Sequence, residues 1–480
     1  MNMCQVSNGF CQVITLLYKP PLLTMTQVIL RGVNIPDVYM TNVLFLVVDS
    51  LRYDAVANDE FDTPNLDALA GDGVSFSRCF AQGVSTAPSM TSMLTGRYPL
   101  DYGGHWFLEE DQPTMAEEFH RNGYTTGAIH SNPNVSRLRN FHRGFDTFEE
   151  NILPYDPDGL VDNAPDQLLR YANKFARLLR RTPYMPVEKV NDNLSEWIHE
   201  TNEPWFLWTQ YMDVHGPYLP GDDFTYRNKF RAEQIWRKAA VNSPDEITPE
   251  EHDELWQNYR KEVEYLDREI GAFLDALSER GDLEDTAVVI VGDHGDEFKE
   301  HGLYGHGNLP YDELTHVPLI IRFPESSTVN QPREVDALVR TIDILPTMLD
   351  LAGADLSETM RERMEGESLL PVLDGADPSY DVVVTEKEMR GEDYLRFGFR
   401  TEEWKYLYDG KTNDTHLYDL ENDSDETTDV CDDHPEVVTY FEELLNNRFE
   451  SIEQTSEGVS IPDIDDSEAV EERLEALGYK

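Results

Sequence analysis

The stretch Gly83–Arg97 reads GVSTAPSMTSMLTGR, with six hydroxyl residues, one proline and no carboxylate. A Ser or Thr hydroxyl is too weak an acid to act as a nucleophile unaided, and a bound metal is one way to activate it. Ligands for such a metal stand at the ends of two apolar runs. NVLFLVVDS (Asn42–Ser50) closes on Asp49, and AVVIVGDHGDE (Ala287–Glu297) carries Asp293 and His294. Carboxylate oxygens with an imidazole suit a divalent cation. That cation would lower the pKa of an adjacent hydroxyl and offset charge on an ester oxyanion. A third run, EPWFLWTQYMDVHGPY (Glu203–Tyr218), delivers Asp213 and His215. If the hydroxyl stretch also opens a helix, its N–H groups attract a sulfuryl or phosphoryl group that a carboxylate there would repel.

The elements that must position these residues are legible. Continuous valine-rich runs ending in acids read as buried parallel strands that present side chains at their carboxyl ends. A fourth run, HVPLIIRFP, follows soon after. Helical patterns lie between them: TMAEEFHRNGY, NYRKEVEYLDREIGAFLDALSERG and TIDILPTMLDLAG. Alternating β and α elements predict an α/β fold with a mostly parallel sheet, and ligands in such sheets gather beyond the strand carboxyl ends. Residues 1–39 read as an N-terminal extension and 40–374 as a catalytic domain with a polar helical insertion at about 155–260. Residues 375–454 read as a small antiparallel sheet carrying a helix, and 455–480 as an acidic linker and tail.

Composition bounds the setting. The chain has 480 residues, 93 Asp and Glu against 39 Lys and Arg, and a formal net charge of −54. Such a surface repels nucleic acid and anionic membranes, so no nucleic-acid partner is expected. Its self-repulsion is relieved by salt, which predicts a high-salt organism. Cys4, Cys11, Cys79 and Cys431 form no CxxC pair, arguing against a disulfide framework or a structural zinc site. No run is long enough to span a membrane. The first residues make a poor signal peptide, so a cytoplasmic address is expected.

With these motifs in order, the chain resembles the sulfatases of the alkaline phosphatase superfamily. The likeness rests on NVLFLVVDSLRYDA, STAPSMTSMLTGRYP, GDHGDEFKEHGLYGHGNLPYDELTHVPLIIRFP, VRTIDILPTMLDLAG and RTEEWKYLYDGKTNDTHLYDLENDSDETTD. It implies an alkaline-phosphatase-like α/β sandwich, an ester-cleaving site and one divalent metal (Ca, Mg, Mn or Zn). There are departures. The position converted to formylglycine in the family is Thr86, so no formylglycine is expected, and the family's following arginine is Met90. The second Asp of the usual pair is Ser50. The expected Gly-Lys-Trp-His segment is IHSNPNVS, lacking the lysine and carrying His130 out of register. The lysine expected after the Asp-His-Gly segment is His306.

An unmodified threonine resembles the phosphodiesterases and phospho-headgroup transferases of the superfamily. Their metal set matches Asp49, Thr86, Asp293 and His294 position by position. The resemblance makes Thr86 the nucleophile, with Ser85 its nearest competitor. It makes His215 a substrate contact; His306 is read as its partner, and either histidine is a candidate to protonate the leaving oxygen. Asp213, His215 and His306 form an alternative second-metal set. Asn132 is a candidate to replace the lost lysine's contact, and His105 is a weaker site candidate. Arg52 and Asp54 read as turn and supporting groups beside the first ligand, with Arg52 also a candidate anion contact. The leading expectation is a metal-dependent hydrolase of a sulfate or phosphate ester, acting on a small anionic ester or a sulfated or phosphorylated glycan. The alternatives are a phosphodiesterase or headgroup transferase, and a non-catalytic anionic-glycan-binding member.

Overall fold

The computed structural model describes residues 41–102, 107–150, 182, 184–219, 224–242, 244–327, 333–388 and 394–456. The expected extension at 1–39, His105 and the final acidic segment from 457 lie outside the described residues, as do 155–181, 183, 220–223 and 243 of the helical range.

Fourteen strands are described: β1 (Asn42–Val48), β2 (Val74–Phe80), β3 (Thr125–His130), β4 (Thr147–Glu150), β5 (Trp205–Tyr211), β6 (Thr286–Gly292), β7 (Glu297–Phe298), β8 (Tyr304–Gly305), β9 (Leu319–Arg322), β10 (Arg333–Arg340), β11 (Val383–Glu388), β12 (Leu395–Arg400), β13 (Trp404–Asp409) and β14 (Asp414–Asp419). Eight of them form one sheet in the order β10-β2-β9-β6-β1-β5-β3-β4. β1 pairs in parallel with both β5 and β6, and β3 with β4 and β5. The HVPLIIRFP run becomes β9, which lies antiparallel to β2 and β6; strand direction is invisible in an apolar run.

The three strands that end in the singled-out acids are buried along their whole length, because helices cover both faces. Val43, Phe45 and Val47 of β1 point into one core, with helices Thr86–Thr95, Met115–Arg121 and Ile344–Leu351. Leu44, Leu46 and Val48 point into the other, with helices Val187–Glu200 and Pro249–Arg280. The long Pro249–Arg280 helix buries Leu255, Tyr259, Val263, Leu266, Ile270 and Phe273, spaced three and four residues apart as one helical face requires. A Thr248/Glu251 capping box starts it, satisfying two end N–H groups at once. Thus the described part of the 155–260 range supplies β5, next to β1, and helices that line the core.

β11–β14 form a separate antiparallel sheet in sequence order. Its Phe397, Phe399, Tyr406 and Leu417 pack with Phe441 and Leu445 of the helix Pro435–Ser456. Cys79 is buried, Cys431 half-buried, and both are free thiols.

Candidate active site

Because β1 and β6 are parallel neighbours, their carboxyl ends coincide: Val48 pairs with Gly292. The next residues, Asp49 and Asp293, therefore emerge side by side. Asp49 takes its backbone hydrogen bond from N–H to the Tyr211 carbonyl at 3.0 Å. Ser50 then turns sharply in the left-handed region, φ +61°, a conformation that costs a non-glycine residue about 1 kcal/mol or more. This turn points the Ser50 N–H at Asp293 Oδ1 (3.1 Å), while Tyr259 donates its hydroxyl to the Ser50 carbonyl (3.1 Å). On the β6 side, a side chain at Gly295 would place its Cβ 2.0 Å from the Glu313 carbonyl. Glycine is needed there for close approach.

Thr86 is the first residue of its helix and fully buried. Its Oγ1 donates to Asp49 Oδ2 at 3.0 Å. Ser85, the competitor, sits at the helix N-cap in an extended conformation without a capping bond from its side chain. The left-handed Gly96, φ +68°, ends the helix, as glycine does at little steric cost.

Asp49, Asp293 and His294 place one ligand atom each within 4.8 Å of one another, all buried. His294 Nδ1 lies 2.9 Å from the Gly295 carbonyl, so Nδ1 carries the proton and Nε2 the lone pair. That Nε2 is buried without a hydrogen-bond partner, 3.6 Å from Asp49 Oδ1 and 3.7 Å from Asp293 Oδ1. A lone pair facing two carboxylates is unfavourable unless a cation lies between them. Burial pulls His294 down to about 4, with His306 adding to the effect, so the imidazole stays neutral as a ligand must. Burial, and then Asp49, push Asp293 well above the ordinary carboxylate range. The donor set thus fits a divalent cation.

Two amides complete the cradle. Gln210 Nε2 donates to Asp293 Oδ2 (2.9 Å) and Asp49 Oδ2 (3.2 Å), leaving its buried Oε1 without a hydrogen-bond partner. Asn132 Nδ2 donates to Asp49 Oδ2 at 2.9 Å. Asn132 therefore supports the Asp49 carboxylate. The Ser50 hydroxyl donates to Asp49 Oδ1 at 3.2 Å, where the family pattern has a further carboxylate. Gln210 was hidden in WFLWTQY, which reads as core; one amide among residues buried on both faces is the signal that marks it.

His306 Nδ1 lies 2.8 Å from Asp296 Oδ1. Its ring centroid is 4.6 Å from that of His294 and 6.0 Å from that of His215. His215 Nδ1 lies 2.6 Å from the Gly216 carbonyl. Burial would raise Asp296, but the His306 hydrogen bond and the facing histidines outweigh it and hold the carboxyl below its ordinary range. Tyr218 donates its hydroxyl to Asp296 Oδ2 at 2.8 Å. Among the described residues, the expected second set of Asp213, His215 and His306 does not form a ligand cluster. Asp213 Oδ1 instead accepts from Val187 N at 3.2 Å, and it is Asp296 that joins His294 and His306.

Arg52 is held by Asp54 (2.7 and 2.8 Å) and Glu300 (2.7 Å), as suits a turn group. The small sheet reaches the same loop. Lys387 of β11 donates to the carbonyls of His306 (3.0 Å) and Asn308 (2.7 Å), and Arg396 of β12 to that of Gly307 (3.1 Å). Burial, with Arg396 nearby, pulls Lys387 down to about 7.

Residues 41–354 match the family model described as Sulfatase, and 299–454 match that described as N-sulphoglucosamine sulphohydrolase, C-terminal. The chain is 24% identical over 473 residues to an arylsulfatase of Clostridium perfringens (strain 13 / Type A), covering 86% of this chain and 95% of that one. It is 26% identical over 443 residues to a choline-sulfatase of Rhizobium meliloti (strain 1021), covering 82% of each. The crystal structure of a phosphonate monoester hydrolase of Agrobacterium radiobacter superposes with a TM-score of 0.67 at 22% identity, covering 86% of this chain and 96% of that one.

Proposed function

This chain belongs to the sulfatase family, whose members hydrolyse sulfuric or phosphoric esters, and from that premise we propose that it does so through Thr86 as an unmodified, metal-activated nucleophile. The observation that carries the proposal is the buried Thr86 Oγ1, 3.0 Å from Asp49 Oδ2, at the edge of the Asp49/Asp293/His294 cluster. A divalent ion held by Asp49, Asp293, His294 and Thr86 would supply Lewis-acid stabilisation and a lowered hydroxyl pKa.

Thr86 passes its proton toward Asp49 and attacks sulfur or phosphorus in line. A new Thr86 ester bond forms as the bond to the leaving oxygen breaks. His306 protonates that oxygen, and Asp296, 2.8 Å from Nδ1, stabilises the imidazolium. Water then attacks the Thr86 ester and His306 takes its proton; Asp49 returns its proton to Thr86 Oγ1 as the ester bond breaks, and sulfate or phosphate leaves with the hydroxyl restored. His215 contacts a non-bridging or leaving oxygen. The substrate class is a small anionic ester or a sulfated or phosphorylated glycan, and threonine chemistry favours the phosphoester. The net charge of −54 supports a high-salt cytoplasm as the working environment. No helix among the described residues is long and apolar enough to cross a membrane.

The test is turnover of a sulfate monoester, a phosphate monoester and a phosphate diester in molar KCl and in dilute buffer. Mn, Mg, Ca and Zn are supplied in turn. At least one ester is turned over, faster in high salt. Thr86→Ala lowers kcat about 10³-fold or more, the scale of losing a catalytic nucleophile, while metal per chain is unchanged. Equal turnover by Thr86→Ala refutes the mechanism. A metal-loaded chain inert toward all three esters favours the glycan-binding alternative.

A further inference from the structure

A second group of ligand-type side chains lies outside this site. His301 Nε2, Glu313 Oε2 and Glu426 Oε1 fall within 4.8 Å of one another. All three atoms are buried and none makes a hydrogen bond of standard geometry; His301 Nε2 and Glu313 Oε2 stand 3.4 Å apart as an ion pair. Glu426 is 1% exposed. We propose that His301, Glu313 and Glu426 form a second, structural divalent-cation site that takes a first-row transition ion, Zn²⁺ foremost.

Two of the three side chains are already oriented by other contacts. The His301 ring stacks on Tyr311, with centroids 3.5 Å apart and planes 3° from parallel. Glu426 uses its other oxygen, Oε2, to accept from Asp312 N at 2.7 Å, which leaves Oε1 facing the cluster. Lys405 stands 3.8 Å from Oε1, a charge contact beyond hydrogen-bond reach, and donates a hydrogen bond to Asp312 Oδ1 at 2.7 Å. Two ligands about 2.1 Å from one tetrahedral ion stand about 3.4 Å apart, and His301 Nε2 lies 3.4 Å from Glu313 Oε2. One imidazole with two carboxylates suits Zn²⁺, Mn²⁺ or Co²⁺ better than Ca²⁺ or Mg²⁺, which prefer all-oxygen shells.

The placement gives the ion a task. His301 lies between β7 and β8, five residues before His306, and Glu426 lies beyond β14 of the small sheet. An ion here ties the loop that carries the general acid to the C-terminal segment, as Lys387 and Arg396 do through hydrogen bonds.

The test uses the full chain, stripped with chelator, passed into high salt and titrated with Zn²⁺ and, separately, Co²⁺. To separate this site from the active centre, the titration is run on Asp293→Asn, which disables the first cluster. Asp293→Asn retains one equivalent of Zn²⁺ and shows Co²⁺ d–d absorption. Adding Glu426→Gln or His301→Gln removes both, with the far-UV spectrum preserved. Two variants on different segments keep the test decisive if one fails to fold. Unchanged stoichiometry and Co²⁺ spectrum in the folded double variants overturn the proposal. So does the absence of any bound equivalent in Asp293→Asn, which would mean that a proton on His301 holds the cluster together. Loss of the active-centre equivalent alone bears on the Thr86 mechanism and leaves this site standing.

Discussion

Two groups of buried carboxylates in this chain are built on opposite principles. Around Asp49 and Asp293 the neighbours are neutral donors, namely Ser50, Thr86, Asn132 and Gln210, with the imidazole of His294 facing both. Around Asp101 and Glu386 the neighbour is a cation. Arg448 of the C-terminal helix lies 2.7 Å from Asp101 and also pairs with Glu386, whose other oxygen accepts from Leu100 N at 2.9 Å. Glu365, beside them, is pushed up to about 8 by burial and by Asp101 and can hold a proton. The second group carries its own compensation and fastens the C-terminal helix to the main domain. The first has no cationic side chain paired with it among the described residues, which is what a cation-binding site requires and a purely structural site avoids.

The contrast can be broken from either side. Arg448→Met should leave Asp101 and Glu386 buried without their cation and destabilise the fold by about 3–5 kcal/mol, read as a fall in denaturant midpoint at fixed salt. A loss under 1 kcal/mol would mean that the Arg448 pairs are not structural. Asp293→Asn should act in the opposite sense in chelator-treated protein. It replaces a carboxyl whose charged form burial and Asp49 disfavour, and Gln210 can turn its unpartnered Oε1 toward the new amide. We expect metal-free stability to rise by roughly 1–3 kcal/mol, while stabilisation by metal at the active centre vanishes. A metal-free protein made weaker by this change would show that the two carboxylates are held there for the fold.

The smallest effect sharpens the comparison at His130, at the end of β3 and two residues before Asn132. Burial, with Arg137 nearby, keeps folded His130 neutral down to about 3, against an ordinary value of 6.5. Between those values the unfolded chain binds more protons, so this contribution is complete above pH 6.5 and is lost as pH falls toward 3. The slope is at most about 1.4 kcal/mol per pH unit. Unfolding midpoints at pH 7.5 and pH 5 measure it, and His130→Gln should flatten the difference. An equal acid sensitivity in that variant assigns it to other groups.

Much of the site was readable because strand chemistry is local. An apolar run closing on Asp49 or on Asp293-His294 announces a buried strand and what waits at its tip. The helical pattern from Pro249 to Arg280 likewise announces its apolar face. Gln210 and Asp296 were missed for the same reason in reverse: their roles depend on which strands and loops become neighbours. Asp213 looked equivalent to Asp49, yet it supports the start of the Val187–Glu200 helix.

The residues alone determined that this chain has acids at strand ends, a hydroxyl-rich helix start without carboxylates, and a surface dominated by negative charge, since these follow from side-chain type and short-range periodicity. Only the tertiary structure decided which hydroxyl meets which acid, that Asn132 and Gln210 bind Asp49, and that His301, Glu313 and Glu426 converge. Those are contacts between stretches far apart in sequence. Sheet order and the close approach at Gly295 set them, and no local pattern encodes either.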